Sequence, residues 1–287
     1  MMTNVNINDS LVSAQWLAEN LNAENLVILD ASMPPVTAPD NNKEQKDPSY
    51  IPGARRFDFD KEIRDKESHL PHMMPRPEMF TDEAQKLGIN KDSAIVVYDD
   101  AGIYASPRAW WMFRAMGHSQ VAVLDGGLPA WIKAGFETVP NLEELPKKRG
   151  DFVSQPQEEL FSDSADVFIA LHDHNFVVLD ARSEGRFKGV EPEPRPGLRP
   201  GHMPHSVNIP FTSVLEAGRL ASKTKLRSIF EKYKDKKMIF SCGSGVTASI
   251  LALAADQVEF KDLSVYDGSW SEWGMPSSGL PVVTEKT

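Results

Sequence analysis

The sequence is short of cysteine: among 287 residues there is one, Cys242. A disulfide within the chain is therefore excluded, and so is a zinc site built on several thiolates. Long apolar runs are missing as well. No stretch of about 18 residues is apolar enough to span a membrane, so no membrane segment is expected. No Lys or Arg precedes Lys43. A secretory signal needs a positive start and a transit peptide is rich in Arg, so neither is expected and the chain reads as cytoplasmic. Positive charge is the minority sign, with 31 basic against 41 acidic residues and a net charge of −10. Nucleic acid or an anionic membrane calls for a basic face, and the densest basic cluster, KDKK at 234–237, reads as a solvated helix end or turn. Neither a G-x-G-x-x-G fingerprint nor a P-loop Lys pattern occurs, and the histidines are scattered, so no cofactor and no metal are expected.

What is present suits a folded soluble chain: 41% hydrophobic and 25% charged residues. The 21 prolines predict long ordered loops and short helices. The chain also repeats itself. Ser13 opens a short helical pattern that leads to LVILDAS at 26–32, and Ser164 opens another that leads to FVVLDARS at 176–183. Each Ser is placed to accept from a free N–H at a helix start. YIPGARRFDF at 50–59 parallels HMPHSVNIPF at 202–211, and AIVVYD at 94–99 parallels KMIFSC at 237–242. A strand, an Asp-Gly turn and a Trp-bearing segment then recur as AVLDGGLPAW at 122–131 and SVYDGSWSEW at 264–273. Short runs rich in Val, Ile and Leu that alternate with helical patterns imply buried parallel strands with helices on both faces. The reading is two α/β domains of one fold, 1–139 and 161–287, joined by the polar, Pro-containing linker 140–160. Trp131 and Trp273 match and are expected in the two cores; Trp270 has no Trp counterpart and is expected to line a cleft.

In this alignment Asp99 stands where Cys242 stands. Cys242 ends an apolar strand and is followed by Gly243-Ser244-Gly245-Val246-Thr247, with a helix from Ala248. Glycines let a loop curl and turn its N–H groups inward, and a helix start adds partial positive charge. Both features stabilise a thiolate, which makes Cys242 a nucleophile rather than a core residue. A tyrosine-phosphatase-like loop would need Cys-x5-Arg to grip a phosphate, but the sixth residue on is Ala248. A Cys-His hydrolase would need a base beside the thiol, for which His72, His202 and His205 are candidates.

The doubled LDAR-type strands, GHMPHSVNIPF at 201–211, GRFKGVEPEPR at 185–195, the loop CGSGVTA and the ending DGSWSEWG resemble the tandem-domain rhodanese family, most closely its 3-mercaptopyruvate sulfurtransferases. The resemblance runs from about Leu11 to Leu280 and implies two rhodanese-like domains, the first without its Cys at Asp99. Thiosulfate-preferring members carry basic residues in mid-loop, whereas Gly243 and Ser244 stand there in this chain. That implies 3-mercaptopyruvate as donor, a Cys242 persulfide, release of pyruvate, and a thiol, a thioredoxin-like protein or cyanide as acceptor. A thiosulfate:cyanide sulfurtransferase and a persulfide carrier are the alternatives. By family motif, Arg186 and Arg195 hold the donor's carboxylate and keto oxygen. Ser244, His72 and Asp60 form a proton relay, and Gly243, Gly245, Val246 and Thr247 line the substrate, with Gly243 and Gly245 offering N–H groups and Thr247 capping the helix. Arg182 and Arg199 are expected to be structural.

Overall fold

The computed structural model describes residues 4–36 and 48–285. The first repeat runs β1 (Leu11–Val12), α1 (Ala14–Asn20), β2 (Leu26–Asp30), β3 (Ala54–Arg56), α2 (Pro77–Lys86), β4 (Ala94–Tyr98), α3 (Ser106–Ala115), β5 (Val121–Leu124) and α4 (Gly127–Lys133). The second runs β6 (Phe161–Ser162), α5 (Ser164–Ala170), β7 (Phe176–Asp180), α6 (Glu184–Lys188), β8 (Val207–Asn208), β9 (Leu215–Glu216), β10 (Arg219–Leu220), α7 (Lys223–Phe230), β11 (Lys237–Ser241), α8 (Ala248–Asp256), β12 (Leu263–Tyr266) and α9 (Ser269–Trp273). Each repeat builds a five-stranded sheet, in the order β1-β5-β4-β2-β3 and β6-β12-β11-β7-β8, while β9 and β10 pair separately. All neighbouring strands in the two five-stranded sheets are parallel.

The two sheets share register as well as order. Asp30 pairs with Tyr98 and Arg56, and Asp180 pairs with Ser241 and Asn208. Tyr50 bridges to Val139 as His202 bridges to Val283. The central strands carry apolar side chains at nearly every position because a parallel sheet covered on both faces gives them no wet side. Every residue of β4 is buried. Successive side chains then feed opposite layers. Ile28, Val96 and Tyr98 join Ala14, Leu17, Leu128 and Trp131 from α1 and α4. On the other face lies an aromatic cluster in which Phe80, from α2, meets Phe113, from α3, edge-on with centroids 5.1 Å apart. In the second repeat Val178, Ile239 and Tyr266 pack with Val167, Leu171, Trp270 and Trp273 from α5 and α9.

The longest helices, α2 and α3, have 10 residues each, as the proline content predicts. Ser13 caps α1, accepting from the N–H of Trp16 at 3.1 Å. Ser164 does not cap α5. Asp163 does, in a capping box with Asp166, since a carboxylate outcompetes a hydroxyl at a positive helix end. Ser164 instead donates to Glu272 Oε1 at 2.9 Å.

Contacts divide the chain into two compact units. One comprises Met1–Ile63, Pro75–Pro156 and Ala217–Arg219; the other comprises Arg64–Met74, Gln157–Glu216 and Leu220–Thr287. The stretch after α4 is tied to the first unit, where Phe152 is buried against Phe80 and His118. The segment Arg64–Met74, early in the chain, groups with the second unit. Among the described residues no helix is long and apolar enough to cross a membrane.

Candidate active site

Cys242 follows β11, and the loop 242–247 turns into α8. Gly245 has φ +78°, a conformation that costs a side-chain-bearing residue and lets the loop curl. The start of α9 holds this curl from outside. Ser269 Oγ accepts from the N–H groups of both Cys242 and Gly245 at 3.1 Å, and donates to Tyr266 O at 2.8 Å. The N–H of Trp270 donates to Cys242 O at 3.0 Å, and the N–H and hydroxyl of Ser271 both donate to Gly243 O at 2.9 and 2.6 Å. The loop's first two carbonyls are thus fastened to α9. The N–H groups of Gly243, Ser244, Val246 and Thr247 accept no such tether: among the described residues they have no acceptor. Four N–H groups without an acceptor beside a buried thiol can serve an anion on sulfur.

The first repeat shows what such a loop holds. Asp99, in the position of Cys242, folds its carboxylate into the same curl. Its Oδ2 accepts from the N–H groups of Tyr104, Ala105 and Ser106 at 3.0, 2.9 and 2.8 Å and from Ser106 Oγ at 2.7 Å, and its Oδ1 accepts from the N–H of Ala101 at 3.1 Å. Ala101 and Tyr104 stand where Ser244 and Thr247 stand.

Ser244 is buried and its Oγ lies 2.9 Å from His72 Nδ1. His72 is itself buried, with a left-handed φ of +60°, a strained conformation for a residue with a Cβ. Its segment is anchored two residues on, where the Met74 N–H donates to Asp267 Oδ2 at 2.8 Å. Of the three candidate histidines, His72 is the one bonded to the loop. His202 is occupied elsewhere: its Nδ1 lies 2.8 Å from Phe187 O and its ring stacks on Phe187 at 3.8 Å.

Two arginines also approach the loop. A Cβ at Gly243 would stand 3.3 Å from Arg186 Nη2 and 3.6 Å from Arg195 Nη1, so a glycine there leaves room between the loop and two guanidinium groups. Arg186 is held by Glu193, with Nη2 2.6 Å and Nε 3.2 Å from Oε2. Glu193 also takes Arg182 Nη1 at 2.7 Å, and Arg182 in turn grips Asp180 with Nη2 at 2.7 Å. Burial works against the charge on Arg182, but Asp180 and Glu193 outweigh it and raise its pKa above the ordinary value. Arg182 is structural, as expected, and so is Arg199, which donates to Trp273 O at 2.8 Å and Ser278 Oγ at 3.1 Å.

Some expectations need correction. Trp270 does not line a cleft. It is fully buried, with its indole N–H donating to Arg199 O at 3.0 Å and Arg182 stacked over its ring at 4.1 Å. Thr247 occupies the N-cap position of α8 but its side chain makes no capping bond. The backbone there is already helical, with φ −72° and ψ −17°, so the hydroxyl does not face the first N–H groups. The Gly245 N–H goes to Ser269 and so serves the curl. Val246 is buried at the base of the loop, and Asp60 falls in the first compact unit.

Three residues of this machinery, Ser269, Ser271 and Glu193, carried no signal taken by themselves. Set beside the first repeat, Ser269 and Ser271 replace Gly127 and Pro129, and that difference marks them.

A rhodanese-like domain model matches the chain twice, at residues 13–134 and 164–275. The chain is 40% identical over 276 residues to the 3-mercaptopyruvate sulfurtransferase of Escherichia coli (strain K12), covering 94% of this chain and 96% of that protein. It is 40% identical over 294 residues to the human 3-mercaptopyruvate sulfurtransferase, covering 96% and 95%. Among solved structures it resembles that of SseA from Escherichia coli, described as a rhodanese-fold 3-mercaptopyruvate sulfotransferase. The TM-score is 0.79 and the identity 36%, over 92% of this chain and all of the other. Two congruent parallel sheets, one cysteine loop and these matches place the chain in the rhodanese-like family, with the family's domain present in tandem.

Proposed function

We propose that this protein is a sulfurtransferase that takes sulfur from 3-mercaptopyruvate as a persulfide on Cys242 and passes it to a thiol or to cyanide. The observation that carries the reading is the approach of Arg186 and Arg195 to Gly243, immediately beside the nucleophile. Guanidinium forks match the carboxylate and adjoining keto oxygen of an α-keto acid, and they place its β-carbon sulfur toward Cys242. Gly243 and Ser244 supply no cation in mid-loop, which favours this donor over thiosulfate.

The Cys242 thiolate attacks the donor's sulfur. A sulfur–sulfur bond forms, the carbon–sulfur bond breaks, and its electron pair leaves as the enolate of pyruvate. The proton of the donor's thiol balances this carbanion, and the Ser244–His72 pair is the group positioned to carry it. Pyruvate departs, and the persulfide anion is held by the loop's inward N–H groups. An acceptor thiolate then attacks the outer sulfur and regenerates Cys242. By family motif Asp60 is the third member of this relay. The first repeat, 1–139, is non-catalytic in that Asp99 stands in place of the nucleophile, and it lends His72 from the segment that groups with the second unit; the stretch 140–160 links it to the repeat 161–287 that carries Cys242, and the protein works in the cytoplasm. A small thiol or a thioredoxin-like protein is the acceptor.

Intact-mass measurement after addition of mercaptopyruvate tests the first half: wild type gains one sulfur atom and Cys242→Ser gains none. Steady-state comparison of donors with cyanide as acceptor tests the second. A higher kcat/KM for thiosulfate than for mercaptopyruvate rejects the donor assignment, and persulfide formation without pyruvate turnover rejects an enzyme in favour of a carrier.

A further inference from the structure

The first repeat contains a cavity of about 630 Å³ at the carboxyl ends of its strands, lined in part by Asp30, Ser32, Tyr50, Tyr98, Asp100 and Leu128. The volume falls within the range of small-molecule sites. Its origin is visible in the alignment of the repeats. Ser32 stands where the second repeat has Arg182, and Leu128 where it has Trp270. In the second repeat these two large side chains fill the space, the guanidinium lying 4.1 Å over the indole. In the first, two short side chains leave it open.

The same substitution leaves a carboxylate half served. Both oxygens of Asp180 are taken by Arg182, Oδ1 by Nε at 3.1 Å and Oδ2 by Nε at 3.1 Å and Nη2 at 2.7 Å. Asp30, the counterpart, is 4% exposed. Its Oδ1 accepts from the N–H and hydroxyl of Ser32, and Arg56 Nη1 lies 3.5 Å away. Its Oδ2 has no hydrogen-bond partner among the described residues. Asp30 lines the cavity, so this oxygen is open to a donor brought in from solution.

Arg56 does not supply it, because it does another job. Its guanidinium donates to Asp30 O at 3.4 Å and Ser32 O at 2.6 Å. Asn208, its counterpart, donates at 2.9 Å to the equivalent carbonyls of Asp180 and Arg182. Among its described lining residues the cavity therefore has one cation, Arg56, against two carboxylates, Asp30 and Asp100. Desolvation and then the charge on Asp30 push the Asp100 carboxyl up, as expected for two acids sharing one site. Leu128, Pro129, Ile132 and Leu142 supply apolar wall, and Ile132 is 51% exposed.

We propose that this cavity binds a small organic cation, a guanidinium carried on a flat or short apolar body, with its fork on Asp30 and Asp100 and its body against Leu128 and Ile132. The chemistry is that of the second repeat's own Arg182 and its platform, supplied from solution instead of by the chain. The site is separate from the cysteine loop and stands whether or not the sulfurtransferase reading does.

Calorimetric titration of the full-length protein with phenylguanidinium, against its neutral isostere phenylurea, tests the proposal. Phenylguanidinium is expected to bind at one site at least about tenfold more tightly than phenylurea, the size of one charge-assisted hydrogen bond. Asp100→Asn is expected to weaken it by about tenfold. The double variant Ser32→Arg, Leu128→Trp, which rebuilds the second repeat's filling, is expected to abolish binding while mercaptopyruvate turnover persists. Equal binding of both probes, no saturable binding of phenylguanidinium, or binding that survives in the double variant would each overturn it. Should the double variant fold poorly, the Asp100→Asn result decides.

Discussion

The loops 99–105 and 242–248 leave equivalent strand ends and enter equivalent helices, yet one is closed and the other open. In the first, a carboxylate collects four backbone N–H groups and one hydroxyl. In the second, a thiol takes the carboxylate's place and Ser249, the counterpart of Ser106, turns its hydroxyl back to Gly245 O at 3.0 Å. The curl thus suits an acceptor about three bonds beyond the Cα, where Asp99 puts its carboxylate oxygens and a Cys242 persulfide would put its outer sulfur. With Asp99 the acceptor is internal, and although burial pushes its carboxyl up against the hydrogen bonds that favour the anion, the loop is a structural knot. With Cys242, proposed to carry the charge on sulfur, α9 holds the loop by two carbonyls and by the N–H groups of Cys242 and Gly245, and those of Gly243, Ser244, Val246 and Thr247 stay available.

The sharpest way to break this comparison is to remove the two anionic positions in turn. Cys242→Ser should lower mercaptopyruvate turnover by about 10⁴-fold or more, measured as pyruvate release. Next in size is Ser244→Ala, expected to lower kcat by about 10²-fold if the hydroxyl carries the proton with His72; an unchanged kcat would make Ser244 a scaffold like Ala101. Arg186→Ala should raise KM for mercaptopyruvate by about tenfold or more, well beyond its effect on an uncharged donor, and equal effects on both donors would remove it from carboxylate binding. Asp99→Ala should leave persulfide formation on Cys242 intact while costing about 2–4 kcal/mol of stability, read as a lower midpoint in urea. An unchanged midpoint would mean that the knot contributes nothing.

The smallest difference concerns acid. His118 in the first repeat and Phe260 in the second occupy matching turns, each N–H donating to the carbonyl five residues earlier at 2.8 and 3.2 Å. Burial lowers the pKa of His118 below its ordinary 6.5. The folded form therefore keeps the ring neutral, while the unfolded chain takes up a proton. Stability from this group is complete above about pH 6.5 and is lost as the pH falls toward the folded value. His118→Phe should flatten that loss in urea melts between neutral pH and pH 5, and an unaltered slope would assign it to other groups.

Much of the site was legible before the fold. A lone Cys at a strand end, followed by Gly-Ser-Gly and a helix, marks a nucleophile from local rules alone. The family motifs pointed at Arg186, Arg195 and His72, and these do reach Gly243 and Ser244. Thr247 and Ser164 were misread because residue type alone cannot say which way a hydroxyl points at a helix start. Trp270 was misread because its role depends on Arg182 and Arg199, which come from other parts of the chain.

Hydrophobic periodicity, recurring in the same order, was enough for two parallel α/β units, because strand burial and helix amphipathicity are written in neighbouring residues. The same local information singled out Cys242 and the loss of its counterpart at Asp99. Only the tertiary structure could decide that Ser269 and Ser271 hold the loop by its backbone, that Glu193 joins Arg182 to Arg186, and that Ser32 and Leu128 border a cavity where the second repeat stacks Arg182 on Trp270. Those outcomes depend on groups far apart in sequence meeting within hydrogen-bond distance, and packing, not local propensity, sets such meetings.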